Sequence, residues 1–499
     1  MNRRDFIKSL GLYGSSILVP SLFGGMNINA NASSLSSRRM INARAAVLGE
    51  IGYVAPTVVP QVISVFLYGG PSELAGNLTN IEDINANSQN PYNSNLMPDA
   101  NNPHYTTNGF WGNGASGNGF NAGGEAMERM VASKRMSVYR TINRVKDDSK
   151  AHRPSIFSNL TGMIGVDDSR PGIATNLASI LSANGMIADN ALFPFVTFEG
   201  ESVVFNQGSV SVPAGLKPIS LNENFRNPYS RRANSSLEST EGDQDAAIEA
   251  LAQATMAGKR ARYQKVIDAF GKRGEIEGFV SQLNQNLANT QLPVDPDFVA
   301  PIDDPGAAAP ILEYPRGFGD RLKAAVNLVI HNPDSLFVSL GNNGLGGWDD
   351  HNSAQDDYPG RMRNLMESLE VAAKHLEAAG KDNVIIMVYG EFGRNVNLNG
   401  SMGWDHGNNQ NLYLVGASPS AGPGIAGNEL GKIVGKTKRI GKAKVNRQFT
   451  SPTDDSYQCE PFAVASTIYQ YFGVQNPELL TGEAPIDETG TPNEWKSIG

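Results

Sequence analysis

The chain has 499 residues, 40% of them hydrophobic and 18% charged, with a formal net charge of −9. That length supports a sizeable core, and the acidic balance argues against general nucleic-acid or anionic-membrane binding. The single cysteine, Cys459, excludes an intramolecular disulfide and a thiolate metal cluster, so stability rests on packing.

The first residues, MNRRDFIKSLGLYGSSILVPSLFGGMNINANA, combine a basic start (Arg3, Arg4, Lys8), an apolar stretch from Leu10 to Phe23 and small residues at Ala30-Asn31-Ala32. This is the layout of a cleaved export signal. The paired arginines before Phe6-Ile7-Lys8 resemble the twin-arginine signal, with Asn2 where Ser or Thr is usual. The expectation is a signal over 1–32, the twin-arginine translocase as export partner, and a mature chain from Ser33 in the periplasm or beyond. Loss of the signal's three basic and one acidic residues takes the net charge from −9 to about −11. No later apolar run is long enough to span a bilayer, so no transmembrane segment is expected after cleavage. Residues 33–60 read as a linker.

QVISVFLYGG (61–70) is a β-branched and aromatic run stopped by two glycines, which predicts a buried strand opening into a loop. The Asn- and Gly-rich stretch 85–124 predicts a loop insertion or substrate-facing flap. Its aromatics (Tyr105, Phe110, Trp111, Phe120) suggest carbohydrate binding on composition alone. MERMVASKRMSVYRTI reads as helix, then strand. Helical periodicity runs from about 244 to 288, followed by a proline-rich link. Further helices are expected at 322–331 and 358–380, and strands at 335–341, 383–390 and 411–417. Strands separated by amphipathic helices predict an α/β domain with a largely parallel sheet. The basic segment 431–445 reads as a solvated hairpin, and Cys459 as a buried small residue.

In such a sheet, ligands bind beyond the carboxyl ends of the strands. Strand 335–341 runs into Gly346-Gly347-Trp348-Asp349-Asp350-His351. Strand 383–390 runs into GEFGRN, which carries Glu391 and Arg394, and a short loop then brings Asp405 and His406. If 349–351 are extended, Asp349 and His351 face one side and Asp350 the other. Asp349, His351, Glu391, Asp405 and His406 form a mixed oxygen and nitrogen ligand set for one or two divalent ions. Zn²⁺ and Mn²⁺ suit it best, with Ca²⁺ or Mg²⁺ as alternatives. His375, in a helix with surface-like neighbours, His331 and His104 carry no such context.

GGWDDH, YGEFGRN and GWDHG resemble the three signatures of a large group of exported bacterial proteins, a domain of unknown function within the alkaline phosphatase/sulfatase superfamily. Its members show G-G-W-D-x-H, S-E-F-G-R and G-x-D-H-G; here Gly390 replaces the usual Ser. The resemblance covers 60–485 and is strongest over 338–410. It implies an alkaline-phosphatase-like three-layer sandwich over 61–485, with a central, largely parallel sheet and helices on both faces. Insertions would fall at about 85–124, 225–310 and 425–450, and a tail at 486–499. By the same analogy Asp349, His351, Glu391, Asp405 and His406 take the metal-ligand places.

HRPSIFSNLTG (152–162) is spaced like the sulfatase signature C/S-x-P-S-R-x-x-x-x-T-G, but His152 holds the nucleophile place and Ile156 the arginine place. His152 or Ser155 could then act as nucleophile or base; equally, Pro154-Ser155 could simply start a helix. After the first strand, GGPSELAGN has Ala75 where the family's aspartate is expected, leaving Ser72 and Glu73 nearby. The resemblance implies an exported metal-dependent hydrolase of phosphate or sulfate esters, with Arg394 offsetting developing negative charge. The alternative is a non-catalytic, metal-stabilised binding or assembly protein that keeps the fold.

Overall fold

The computed structural model describes residues 50–74, 106–112, 121–146, 149–188, 191–225 (save 209, 211 and 213), 264–289, 291–421 (save 397, 398 and 402) and 429–486 (save 442–447), with a few positions between 246 and 254. The signal, Ala75, His104 and the C-terminal tail beyond 486 lie outside them, as do most of the 85–124 stretch and parts of the other two insertions.

β1 (Gln61–Leu67) is buried along its whole length, as an unbroken β-branched and aromatic run should be in a parallel sheet covered on both faces. It is followed by α1 (Gly124–Ala132), β2 (Met136–Asn143), α2 (His152–Thr161), α3 (Ile173–Ala183), β3 (Phe195–Thr197) and β4 (Ile219–Ser220). Next come α4 (Gln264–Asn289), α5 (Phe318–His331), β5 (Phe337–Leu340), α6 (Ala354–Ala378) and β6 (Val384–Gly390). Two short strands, β7 (Gly393–Arg394) and β8 (His406–Gly407), pair with each other before β9 (Asn409–Gly416). β10 (Ile433–Val434), β11 (Thr437–Gly441), β12 (Gln448–Pro452), α7 (Phe462–Tyr471) and α8 (Glu478–Thr481) complete the order.

Eight strands form one sheet in the order β10-β2-β9-β6-β1-β5-β3-β4. β9 alone runs against its neighbours, pairing antiparallel with both β6 and β2; the other pairings are parallel. The reversal follows from chain length: the link between β6 and β9 holds no described helix to carry a parallel crossover. Alternation along β1 sends Ile63, Val65 and Leu67 to one face and Val62 and Phe66 to the other. The first face packs on α1, α5 and α6, the second on α3 and α7. The expected three-layer α/β sandwich is therefore the observed architecture.

Two local expectations change. Phe110 and Trp111 are buried in the core rather than offered to a carbohydrate; Tyr105 and Phe120 lie outside the described residues. His375 is not a surface residue: it is buried, bonded to the Tyr314 hydroxyl at 3.2 Å, and pushed down to about 4 by burial. The helix expected over 244–288 agrees with what is described: the described positions between 246 and 254 are helical, and α4 runs Gln264–Asn289. The basic segment does form a hairpin arm, β11 pairing antiparallel with β12.

One buried carboxyl makes stability depend on pH. Glu460, just before α7, accepts the Val145 and Lys146 N–H groups at 2.9 and 2.5 Å through one oxygen. Its other oxygen is buried with no hydrogen-bond partner among the described residues, and burial pushes the carboxyl up to about 7. A folded pKa above the unfolded one gives a contribution that is full at acid pH and lost as pH rises through about 7. Glu460→Gln keeps the accepting oxygen and removes the titration. Its Tm should fall less than that of the native chain between pH 5 and pH 8; an unchanged slope would exclude Glu460 as a contributor.

Candidate metal centre

The three phrases meet at the carboxyl end of the central strands because glycine-bearing turns let their backbones touch. Gly69, directly after β1, has φ +104°, and a Cβ there would lie 2.5 Å from the Asp349 nitrogen. Gly403 lies against the His351 backbone, leaving no room for a Cβ. The tryptophans of both phrases serve as anchors. Trp348 and Trp404 pack edge-on against Tyr358 of α6, with centroids 6.0 and 5.1 Å away, and Trp111 joins from a third side. The Tyr358 hydroxyl donates to the Ser72 carbonyl at 2.7 Å, tying the first loop to the same cluster.

Residues 349–351 are not extended. Asp350 and His351 N–H groups donate to the carbonyls of Trp348 and Asp349, two residues back, at 2.9 Å each. These tight turns still send Asp349 and His351 to one side. Asp350 is buried elsewhere against Arg361, at 2.5 Å.

Around Asp349 stand three imidazoles. His351 Nε2 is 3.1 Å from Asp349 Oδ1, His406 Nε2 3.5 Å from the same oxygen, and His152 Nε2 3.5 Å from Oδ2. His351 Nε2 and His406 Nε2 are 2.9 Å apart. Donor atoms of His152, Asp349 and His406 all fall within 4.8 Å of one another. Phe392 packs on the rings of His406 and His152, centroids 4.3 and 5.2 Å away.

Each ring is oriented from behind through Nδ1. His152 faces Glu391 Oε2 at 2.7 Å, His351 faces Asp405 Oδ1 at 3.2 Å, and His406 faces the Lys150 carbonyl at 2.5 Å. Each of these partners is an acceptor, so each Nδ1 donates to it and each ring turns its Nε2 inward. Burial, with Arg394 nearby, pushes His406 down to about 4, so its ring is neutral at physiological pH. Three Nε2 atoms and a carboxylate thus stand together, with Arg394 donating to the carboxylate. Donors about 2.1 Å from one ion lie about 3.0–3.4 Å apart along an octahedral or tetrahedral edge. The observed separations of 2.9–3.5 Å fit that spacing, so His152, Asp349 and His406 suit a divalent cation, with His351 beside Asp349 and His406.

The structure gathers His152, Asp349, His351 and His406 at the centre and sets Glu391 and Asp405 behind the rings. Glu391 is buried and also accepts the Gly69 N–H at 2.7 Å; burial raises its carboxyl above the ordinary range against those two hydrogen bonds. Ser155 is fully buried in α2 and donates to the Ser149 carbonyl at 3.3 Å. Pro154 and Ser155 do occupy the first turn of a helix, whose first residue is His152. The Lys150 carbonyl, Phe392 and Asn399, which donates to the His351 carbonyl and to Asp405, carried no chemical signal in the sequence.

Arg394 is buried, and its hydrogen bonds go to the protein itself. It donates to the carbonyls of Gly70 (2.7 Å), Trp404 (2.8 Å), Trp348 (3.0 Å) and Gly69, and to Asp349 Oδ1 (2.7 Å). Partial burial works against ionisation of Asp349, but Arg394, aided by His351 and His152, holds its carboxyl below the usual range. Lysine cannot reproduce a five-donor planar fork. Arg394→Lys should therefore cost about 3 kcal/mol or more of unfolding free energy, measured by denaturant titration of the apo protein. A loss below about 1 kcal/mol would show that the loops close without it.

A family model described as "Protein of unknown function (DUF1501)" matches residues 59–454. No curated protein matches the chain. Among solved structures, the chain is similar to Ps i-CgsB in complex with k-i-k-neocarrahexaose, at 12% identity and a TM-score of 0.35, over 84% of this chain and 74% of that one. It is also similar to the alkaline phosphatase of the Antarctic bacterium TAB5, at 11% identity and a TM-score of 0.31, over 83% and 98%. The phosphonate monoester hydrolase of Silicibacter pomeroyi matches at 16% identity and a TM-score of 0.26, over 73% and 72%. With the family model spanning most of its length, and with the motifs GGWDDH, GEFGR and GWDHG inside that span, the chain belongs to the DUF1501 family.

Proposed function

We propose that the protein is an exported, metal-dependent hydrolase of phosphate or sulfate esters that uses water as its nucleophile. The convergence of three Nε2 atoms on the Asp349 carboxylate carries this reading. His152, Asp349, His351 and His406 would hold the ion, and the donor set favours Zn²⁺ or Mn²⁺. When bound, such an ion supplies Lewis acidity and lowers the pKa of water at the site. Glu391, Asp405 and the Lys150 carbonyl keep the rings aimed, and Arg394 keeps Asp349 ionised and in place. The Asp349 side chain is 49% exposed, so a substrate can reach the donors from solvent. Ser155, buried and bonded to a backbone carbonyl, favours water as the attacking group. Export would follow the twin-arginine route, tested by replacing Arg3 and Arg4 with lysine and following the chain by cell fractionation.

A second reading, a metal-stabilised binding protein, draws support from Arg394, whose donors are spent on the protein itself. Elemental analysis of natively exported protein, paired with a panel of phosphate and sulfate esters, separates the two. The expected result is one divalent ion per chain with ester turnover, and loss of both in Asp349→Ala and His406→Ala. Metal without turnover would favour the binding protein; no metal would sink both.

Glu391→Gln tests the role of the group behind His152. As an orienting partner it should weaken metal affinity about 10–100-fold without abolishing binding, read by competition with a chromogenic chelator. Complete loss of binding would make Glu391 a direct ligand.

A further inference from the structure

Beside the metal centre lies an open cleft of about 530 Å³ that shares His152 as part of its wall. It sits beyond the carboxyl ends of β1, β3 and β5, between the start of α2 and the loops after β3 and β5. Its volume matches one small-molecule group. Tyr68, Ile156 and Phe157 give it aromatic and aliphatic surface, and Glu199 and Glu201 add two carboxylates to the wall. Glu199 is fixed by the Ser339 hydroxyl at 2.8 Å. The cleft's one arginine, Arg153, lies over the Phe157 ring and is 3.5 Å from Asp168, so its charge is already matched.

We infer that this cleft receives the alcohol part of the ester and selects a hydroxylated ring carrying no further anionic group. The inference rests on the hydrolase reading, since the anionic ester head would lie at the metal and the remainder must enter the concavity next to His152. Carboxylates accept hydrogen bonds and repel anions, so this wall calls for a ligand rich in hydroxyl donors. The aromatic and aliphatic surface calls for a flat apolar face, which a sugar or polyol ring supplies. A second phosphate or sulfate on that ring would meet Glu199 and Glu201 directly.

Isothermal titration of the metal-loaded protein tests this with glucose 6-phosphate and glucose 6-sulfate, phenyl phosphate and phenyl sulfate, and fructose 1,6-bisphosphate. A glucose ester should bind about tenfold tighter than its phenyl counterpart and than the bisphosphate. Glu201→Lys, at an exposed position, should raise bisphosphate affinity about tenfold with metal content unchanged. Phe157→Ala should lower glucose-ester affinity. Equal affinity for glucose and phenyl esters, preference for the bisphosphate in the native protein, or no binding by any probe would overturn the inference. Metal content and turnover of 4-nitrophenyl phosphate and sulfate, measured on the same preparation, keep the two readings apart. Turnover without ring preference removes only the cleft assignment, and ring preference without turnover removes only the hydrolase.

Discussion

The buried guanidinium of Arg394 donates to four backbone carbonyls and one carboxylate drawn from three separate loops. Loops have no ladder of their own to satisfy their carbonyls, so a buried junction of three of them would ordinarily be costly. One planar cation with five donors resolves that problem at a single point. It also fixes a charge: with Arg394 sealed from solvent, Asp349 is its counter-ion and stays ionised. The geometry of the three imidazoles is then referred to an oxygen pair whose position the fold has already set.

This arrangement separates two tasks that one polar cluster could confuse. Glu391, Asp405 and the Lys150 carbonyl handle the protonated side of each ring, and Asp349 faces the other side. The rings cannot rotate without giving up those outer hydrogen bonds. The fold therefore holds them in place before any ligand arrives, as a preorganised site does.

Much of this was legible in the sequence. Apolar runs and periodicity placed the central strands and the helices around them, and phrases at strand ends named Asp349, His351 and His406. Less legible were roles that depend on direction rather than identity. His152 filled a signature slot as a candidate nucleophile or base, and its ring stands beside Asp349 and His406. Arg394 read as a catalytic cation, although its five bonds all turn inward. Trp348 and Trp404, given no role by the sequence, wedge both loops against Tyr358. The Lys150 carbonyl could not have been found, since a backbone oxygen leaves no trace in side-chain spelling.

The reversal of β9 has a consequence for the chemistry of the centre. Because the chain turns back at the same end of the sheet, β7 and β8 can pair, with Arg394 opposite His406 and Gly393 opposite Gly407. That ribbon is only two residues deep, so its alignment helps decide which side chain stands beside Asp349. A slip of one residue would present the carboxylate of Asp405, or the bare backbone of Gly407, where the imidazole now stands. The length of the excursion between 394 and 406 thus sets whether nitrogen or oxygen is offered there, and an indel could change it without any substitution.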